Sequence, residues 1–269
     1  MKRMVTAAAA VVLVAVAPSG VSLAGAAELG SVTARVVDRT ITPGDDFHIQ
    51  FSGTLDRTVA ASVYEVDCED TSAALVADLH RRGKTVVAYI SAGYWENYRD
   101  DAAAFPASVK GKIMDGWPDE RWLDIRRLAV LKPIMRARMD QCAAKGFDAI
   151  EFDNVEGYAN DSGFPLTKAD QRVYNTWLAS AAKARGLQPG LKNTLGLIPS
   201  LVDDFDWALN EQCVQYSECR AYQPFVDAGK AVFVLEYNVT VERMCTVTQR
   251  VGLVAQKKHL RLDAWRAVC

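Results

Sequence analysis

Four times in this chain a helix-forming stretch ends on a glycine and an apolar strand follows closely. The junctions are Arg82-Gly83, Lys145-Gly146, Arg185-Gly186 and Ala228-Gly229. A glycine just past the last helical turn takes the left-handed conformation that closes a helix. Helix, glycine cap and strand in repeated order is the pattern of a parallel sheet with right-handed crossovers. Candidate strands cover 47–52, 62–67, 85–91, 149–154, 189–193, 207–211, 232–237 and 260–264, and helical stretches cover 72–82, 128–145, 168–185, 216–228 and 241–256. Eight strands predict a closed (β/α)8 barrel of the TIM type in a single domain. The 269 residues, half of them hydrophobic, suffice for the roughly 250 that such a barrel takes. An open doubly wound sheet shares the alternation, but no Gly-x-Gly-x-x-Gly turn follows the first strand and no phosphate loop appears. Segment 92–127 is too long for a plain connection. It carries Tyr94, Trp95, Tyr98, Phe105, Trp117 and Trp122, and reads as an elaborated loop over the barrel mouth.

The first residues read as an export signal. Lys2 and Arg3 precede an apolar run from Val5 to Ala17, and Ala24-Gly25-Ala26 offers a small-residue cleavage site. The run is shorter than the roughly 20 residues that a membrane span needs. The expected organisation is a signal peptide over 1–26, a short linker over 27–45 that ends near Pro43-Gly44, and the barrel over 46–269. Removal of the signal takes two positive charges and no acid, which moves the formal charge from −2 to −4. A mildly acidic exported monomer, free of the membrane once cleaved, is expected. Nucleic acid is a poor partner for it, because such binding is dominated by phosphate neutralisation.

Six cysteines at 68, 142, 213, 219, 245 and 269 in an exported chain favour disulfides. Cys213 and Cys219 are close enough to close a small loop. Cys245–Cys269 with Cys68–Cys142 is the expected arrangement of the other four, one choice among the 15 connectivities that six cysteines permit and not fixed by spacing. No Cys-x-x-Cys pair exists and the three histidines are scattered, so zinc is disfavoured and no cofactor is expected.

Chemistry is concentrated where strands end. In the run Ala149-Ile150-Glu151-Phe152-Asp153-Asn154, strand alternation puts Ala149, Glu151 and Asp153 on one face. An acid ending a buried strand is costly unless its charge is used, and α/β barrels keep their active sites at the carboxyl ends of the strands. Asp67, Tyr89, Ser91, Asp153, Asn154, Lys192, Asn193, Asn210, Glu211, Glu236, Tyr237 and Asp263 all fall at expected strand ends. Two carboxyl groups with proton affinities pushed apart are the apparatus of glycoside hydrolysis. A serine hydrolase would want a Gly-x-Ser-x-Gly elbow, which is absent. Glu236 reads as a positioning group before a catalyst, while Asp67 and Glu151 read as groups that bind substrate or orient neighbours. Trp95, Trp117 and Trp122 can stack on sugar rings or simply pack inside their long loop. His48 and His80 read as ordinary satisfied histidines.

Six ordered blocks carry a family resemblance: Tyr89-Ile90-Ser91-Ala92-Gly93 with Glu96 and Arg99; Gly116-Trp117-Pro118 with Glu120 and Trp122-Leu123-Asp124-Ile125-Arg126; Gly146-Phe147-Asp148 leading into Asp153-Asn154 and Gly157-Tyr158; Leu191-Lys192-Asn193; Asn210-Glu211-Gln212-Cys213; and Glu236-Tyr237. Together, from about Gln50 to Tyr237, they resemble glycoside hydrolase family 114, the endo-α-1,4-polygalactosaminidases. The resemblance implies a (β/α)8 barrel that hydrolyses α-1,4-linked galactosamine or N-acetylgalactosamine polymers with retention of configuration. It makes Asp153 the nucleophile and Glu211 the acid/base, with Asp67, Tyr89, Asp124, Asn154, Lys192, Asn193, Glu236 and Tyr237 binding the sugar. Glu156 departs from the pattern, standing where the family more often has Asp, and no catalytic role is assigned to it. Two alternatives stay open: a carbohydrate-binding barrel without turnover, and a glycosidase of other specificity using Asp153 and Glu236. The stretch after Tyr237 matches less well.

Overall fold

A computed structural model describes residues 39–269; the expected signal peptide and most of the expected linker lie outside the described residues. Eight strands run parallel: β1 (Phe47–Ile49), β2 (Val63–Asp67), β3 (Thr85–Ser91), β4 (Ala149–Asp153), β5 (Gln188–Lys192), β6 (Trp207–Glu211), β7 (Val232–Glu236) and β8 (Val254–Lys258). A ninth, β9 (Arg266–Val268), pairs antiparallel with β8. Helices α1 (Ala73–Arg81), α2 (Leu128–Lys145), α3 (Lys168–Lys183), α4 (Ile198–Leu201), α5 (Cys213–Tyr216), α6 (Gln223–Asp227) and α7 (Val241–Arg250) lie between them. This is the (β/α)8-type barrel expected from the glycine-capped repeats.

Strand alternation builds two cores. Phe47, Ile49, Val63, Val87, Ala149, Trp207, Leu209, Phe233 and Leu235 fill the barrel interior, while Tyr64, Val66, Val86, Ile90, Ile150, Phe152 and Leu191 face outward onto the helices. Gly190 has a packing reason: a Cβ there would overlap the Trp207 indole, so the interior layer closes only without a side chain. Gly146 closes α2 at φ 89°, its N–H donating to the Ala143 carbonyl and that of Phe147 to the Cys142 carbonyl, as at a left-handed cap. Residues 39–46 belong to the barrel floor. The buried Ile41 joins the interior core, its amide donates to Gln188 Oε1 at 2.9 Å, and Gln188 Nε2 donates to the Arg39 carbonyl at 3.0 Å.

The eighth strand differs from expectation. It is Val254–Lys258, not 260–264. α7 stops at Arg250 because Gly252, at φ 74°, makes a further helix-ending turn, with Leu253 N donating to the Thr248 carbonyl. Asp263 therefore ends no strand; it sits in the β8–β9 turn, paired with His259 and Arg261. The expected helix over 216–228 is likewise broken, into α5, a 3-10 turn (Cys219–Tyr222) and α6. The C-terminal segment bridges the seam between β8 and β1. Arg266 donates to the Phe47 carbonyl at 2.7 Å, and the amides of Phe51 and Ser52 donate to the Leu262 carbonyl.

Segment 92–127 forms a three-stranded antiparallel sheet, with Trp117–Leu123 between Tyr94–Glu96 and Lys110–Met114, and it walls the barrel mouth. Among the described residues no helix is long and apolar enough to cross a membrane. The disulfides are Cys68–Cys142, Cys213–Cys219 and Cys245–Cys269, the pairing expected. Cys68–Cys142 ties the end of β2 to α2 across a sequence separation of 74. Replacing both by alanine should lower stability by about 4 kcal/mol, and opening Cys213–Cys219 by about 2 kcal/mol, if loop entropy governs. Calorimetry of the two double variants decides, and equal losses would sink that account.

Candidate active site

Parity along each strand decides what reaches the mouth. On β4, Ala149 is inside, so Glu151 and Asp153 are inside too, with Asp153 last. On β6, Trp207 and Leu209 are inside, so Glu211 is the inward acid and Asn210 turns to the helices, accepting from the Cys213 amide at 2.7 Å. β5 has one inward cation, Lys192. Its Nζ donates to Glu151 Oε1 at 3.0 Å and to Asp153 Oδ1 at 3.1 Å, and lies 3.6 Å from Glu211 Oε2. Burial works against that charge, but the surrounding carboxylates, Asp153 first, hold the Lys192 ammonium well above the usual lysine range.

Donors complete both acids. The Tyr89 hydroxyl donates to Asp153 Oδ2 at 3.2 Å, and the Tyr237 hydroxyl donates to Glu211 Oε1. Burial, reinforced by the neighbouring carboxylates, pushes both phenols up, so each keeps its proton to donate. Asn193 serves the same layer: its Oδ1 accepts from the Glu211 amide at 2.9 Å and from Asn210 Nδ2 at 3.2 Å.

The strand ends are backbone-strained in a concerted way. Asn154, Asn193, Thr194 and Gln212, just beyond β4, β5 and β6, all have positive φ, between 46° and 68°. Non-glycine residues visit this region rarely, and where they do they cluster at sites that the surrounding structure over-determines. Gly93 packs so closely on the Asn154 carbonyl that any side chain would collide with it.

Asp153, Glu211, Asp67, Tyr89, Asn154, Lys192, Asn193 and Tyr237 line one cleft of about 830 Å³, so eight of the ten expected site residues meet there. Asp67 is neutralised within it by Arg99, at 2.7 Å. Two expected residues do not reach it. Glu236 shares its strand face with the outward Val232 and Val234; it is fully buried, and its Oε1 accepts from the Val214 amide at 2.7 Å. Asp124 is buried beside the hairpin sheet and is held by Arg126 at 2.7 Å. Trp117 and Trp122 line the cleft, whereas Trp95 packs beneath the hairpin, its indole N–H donating to the Ala102 carbonyl.

Two of the cleft acids to which the sequence assigned no site role, Glu120 and Glu156, hold their protons unusually tightly. Glu120 is pushed up to about 7 by burial and then by the charge of Glu96; its face on the hairpin, shared with Tyr94, Glu96 and Trp122, could have been read from period-two alternation. Glu156 is pushed up to about 8 by burial and then by the charge of Asp153. It lies in a loop with no periodicity to reveal it. Among the described residues, no group of three or more His, Cys, Asp or Glu is placed to hold a metal ion.

The model of glycoside hydrolase family GH114 matches residues 31–269. The chain belongs to this family. No curated protein matches the sequence. Among solved structures, Ega3 of Aspergillus fumigatus, in complex with galactosamine, is 35% identical, covering 87% of this chain and 98% of its own, with a TM-score of 0.82. The glycoside hydrolase domain of PelA from Pseudomonas aeruginosa shares the fold at 14% identity, covering 84% of this chain and 99% of its own, with a TM-score of 0.66. As a GH114 member this chain is a glycoside hydrolase, and the inward acids at its barrel mouth are the groups available for that chemistry.

Proposed function

We propose that this GH114 protein is an exported, endo-acting hydrolase of α-1,4-linked galactosamine polymers, with Asp153 as nucleophile and Glu211 as acid/base. The observation that carries the assignment is one ammonium, Lys192, standing within 4 Å of both carboxylates at the cleft floor. The two spans laid end to end are the ceiling on the separation of Asp153 Oδ1 and Glu211 Oε2. That ceiling lies just past the roughly 6.5 Å at which inverting pairs begin, so nearly all of the separations it allows are too short for inversion, which favours retention. In the first step Asp153 attacks the anomeric carbon while Glu211 gives its proton to the departing oxygen. In the second, Glu211 takes a proton from water, which displaces Asp153. Tyr89 and Lys192 hold Asp153 in place for attack; Tyr237 and Asn193 fix Glu211. The galactosamine in the Ega3 complex supports the sugar class, and three disulfides among the described residues support export.

Electrostatics supports a cationic substrate. Asp67, Glu69, Asp70, Glu96, Asp100, Asp153 and Glu211 line the cleft against Arg99, Lys192 and Arg261, with Glu120 and Glu156, pushed up to about 7 and about 8, adding less charge at neutral pH. Glu151, Asp124 and Glu236, expected at its edge, are not among them, so the field comes from the hairpin and β2 sides instead. The deciding assay is release of reducing ends from polygalactosamine, with oligomers preceding monomer; a protein that binds the polymer without cleaving it would overturn the assignment. Salt provides a second check. Exposed attraction is screened over roughly 8–10 Å at 0.1–0.15 M, so kcat/KM on a deacetylated polymer should fall with ionic strength while that on the acetylated polymer stays nearly flat. Equal salt slopes would remove the electrostatic argument.

A further inference from the structure

Beneath the two proposed catalytic acids lies a carboxyl group that the mechanism has not used. Glu65, in the middle of β2, points into the barrel and is fully buried. Its register neighbours, Ile49 on β1 and Val87 on β3, are apolar. Neither of its oxygens receives a hydrogen bond from any N–H or O–H of the protein. Beside it is another fully buried carboxyl group, Glu151 on β4, whose Oε1 accepts from Lys192 and whose Oε2 likewise receives no hydrogen bond from the protein. Two carboxylates cannot meet in an apolar interior unless one of them holds a proton. The proton belongs on Glu65: burial and then the charge of Glu151 drive it well above the usual carboxyl range. Burial also raises Glu151, but there Lys192 opposes it.

The charged and titratable groups around this pair come from β3 to β7, since β1 meets Glu65 with Ile49. Tyr89 faces it from β3, Asp153 from β4, Lys192 from β5, and Glu211 and Tyr237 lie beyond Lys192 on β6 and after β7. Glu156 and Glu120 border Asp153 from the cleft side. Lys192 thus has three carboxylate partners, Glu151, Asp153 and Glu211. Glu151 is the one that substrate never meets, and it competes with the other two for the same ammonium.

We propose that Glu65 is a positioning residue: as an un-ionised acid it donates to Glu151, weakens the hold of Glu151 on Lys192, and leaves that ammonium directed at Asp153. The inference rests on Asp153 being the nucleophile. Glu65 touches no substrate, and its effect passes through two side chains. A glutamine in its place can donate an N–H to Glu151 as the acid does; a leucine of similar size cannot.

The test is the pH profile of kcat/KM on polygalactosamine for the wild type, Glu65→Gln and Glu65→Leu, in which titration of the substrate itself is common to all three. Glu65→Gln should keep the acid limb where it is. Glu65→Leu should move that limb to higher pH by about one unit, a tenfold loss on the acid side with the plateau kept. A folded Glu65→Leu with an unmoved limb overturns the proposal, as does a Glu65→Gln limb that moves with it. Should Glu65→Leu not fold, Glu151→Gln decides: removing the competitor must move the acid limb to lower pH, and a limb unmoved or raised overturns the inference. If the wild type cleaves no polygalactosamine, it is the substrate assignment that fails. The positioning role is then read from the 13C-carboxyl titration of Asp153, assigned with Asp153→Asn, whose midpoint must rise in Glu65→Leu and stay in Glu65→Gln.

Discussion

Asp153→Asn should abolish release of reducing ends from polygalactosamine, a loss of about 10³-fold or more in kcat, while the protein stays folded. The amide is nearly isosteric with the acid: its oxygen can stay with Lys192 and the Asn154 amide, while its NH2 donates to the Tyr89 hydroxyl, which turns acceptor. Lys192 keeps Glu151 at 3.0 Å and Glu211 at 3.6 Å, so no buried ammonium is orphaned. That matters for interpretation, because stripping a buried cation of its whole partner set costs roughly 3–5 kcal/mol and would confuse loss of folding with loss of chemistry. With the fold held, the amide lacks the negative charge that attacks the anomeric carbon, and no other inward acid occupies the end of β4. Binding of galactosamine oligomers should persist, measured by calorimetry, because Asp67, Trp117 and Glu120 remain in the cleft. Cleavage surviving within tenfold of wild type would remove Asp153 from the nucleophile position.

The barrel was legible because its signals are local and repeated. A glycine that must take positive φ and a strand that must alternate leave marks in any chain, and the helix ends and seven of the eight parallel strands follow from them. The eighth was obscured because Gln256-Lys257-Lys258 looks polar. Gln256 and Lys258 are nonetheless buried, Lys258 through a hydrogen bond to the Asp263 carbonyl at 2.6 Å. The fifth glycine turn, at Gly252, was the available clue. At the site, strand parity separates what could be read from what could not. Glu211 is odd-numbered with the inward Trp207 and Leu209, and it reaches the cleft; Glu236 is even-numbered with the outward Val232 and Val234, and it does not. Counting from the apolar residues of β7 would have turned Glu236 outward before any coordinates. Glu65 had no such mark. Val-Tyr-Glu-Val-Asp reads as a half-exposed strand, and only three dimensions show that its inward acid meets a second one.

Strand parity sets Glu211 apart from Glu236 as the acid/base. Glu211→Gln should lower kcat/KM on polygalactosamine by about 10³-fold, within the usual range for loss of a positioned proton donor. On an activated aryl galactosaminide the leaving group needs no proton, so formation of the glycosyl-enzyme should survive and its hydrolysis should become limiting. Azide, a nucleophile that needs no general base, should then restore turnover. Glu236→Gln should show none of this. Its carbonyl can still accept from the Val214 amide, it faces the helix layer, and its activity should stay within about threefold on both substrates, with any cost appearing in Tm instead. The comparison separates the two acids by chemistry rather than by size of effect. A proton donor is recognised by losses that grow as the leaving group worsens, which a structural carboxyl cannot imitate. Leaving-group dependence in Glu236→Gln, or equal losses on both substrates in Glu211→Gln, would transfer the acid/base role away from the tip of β6.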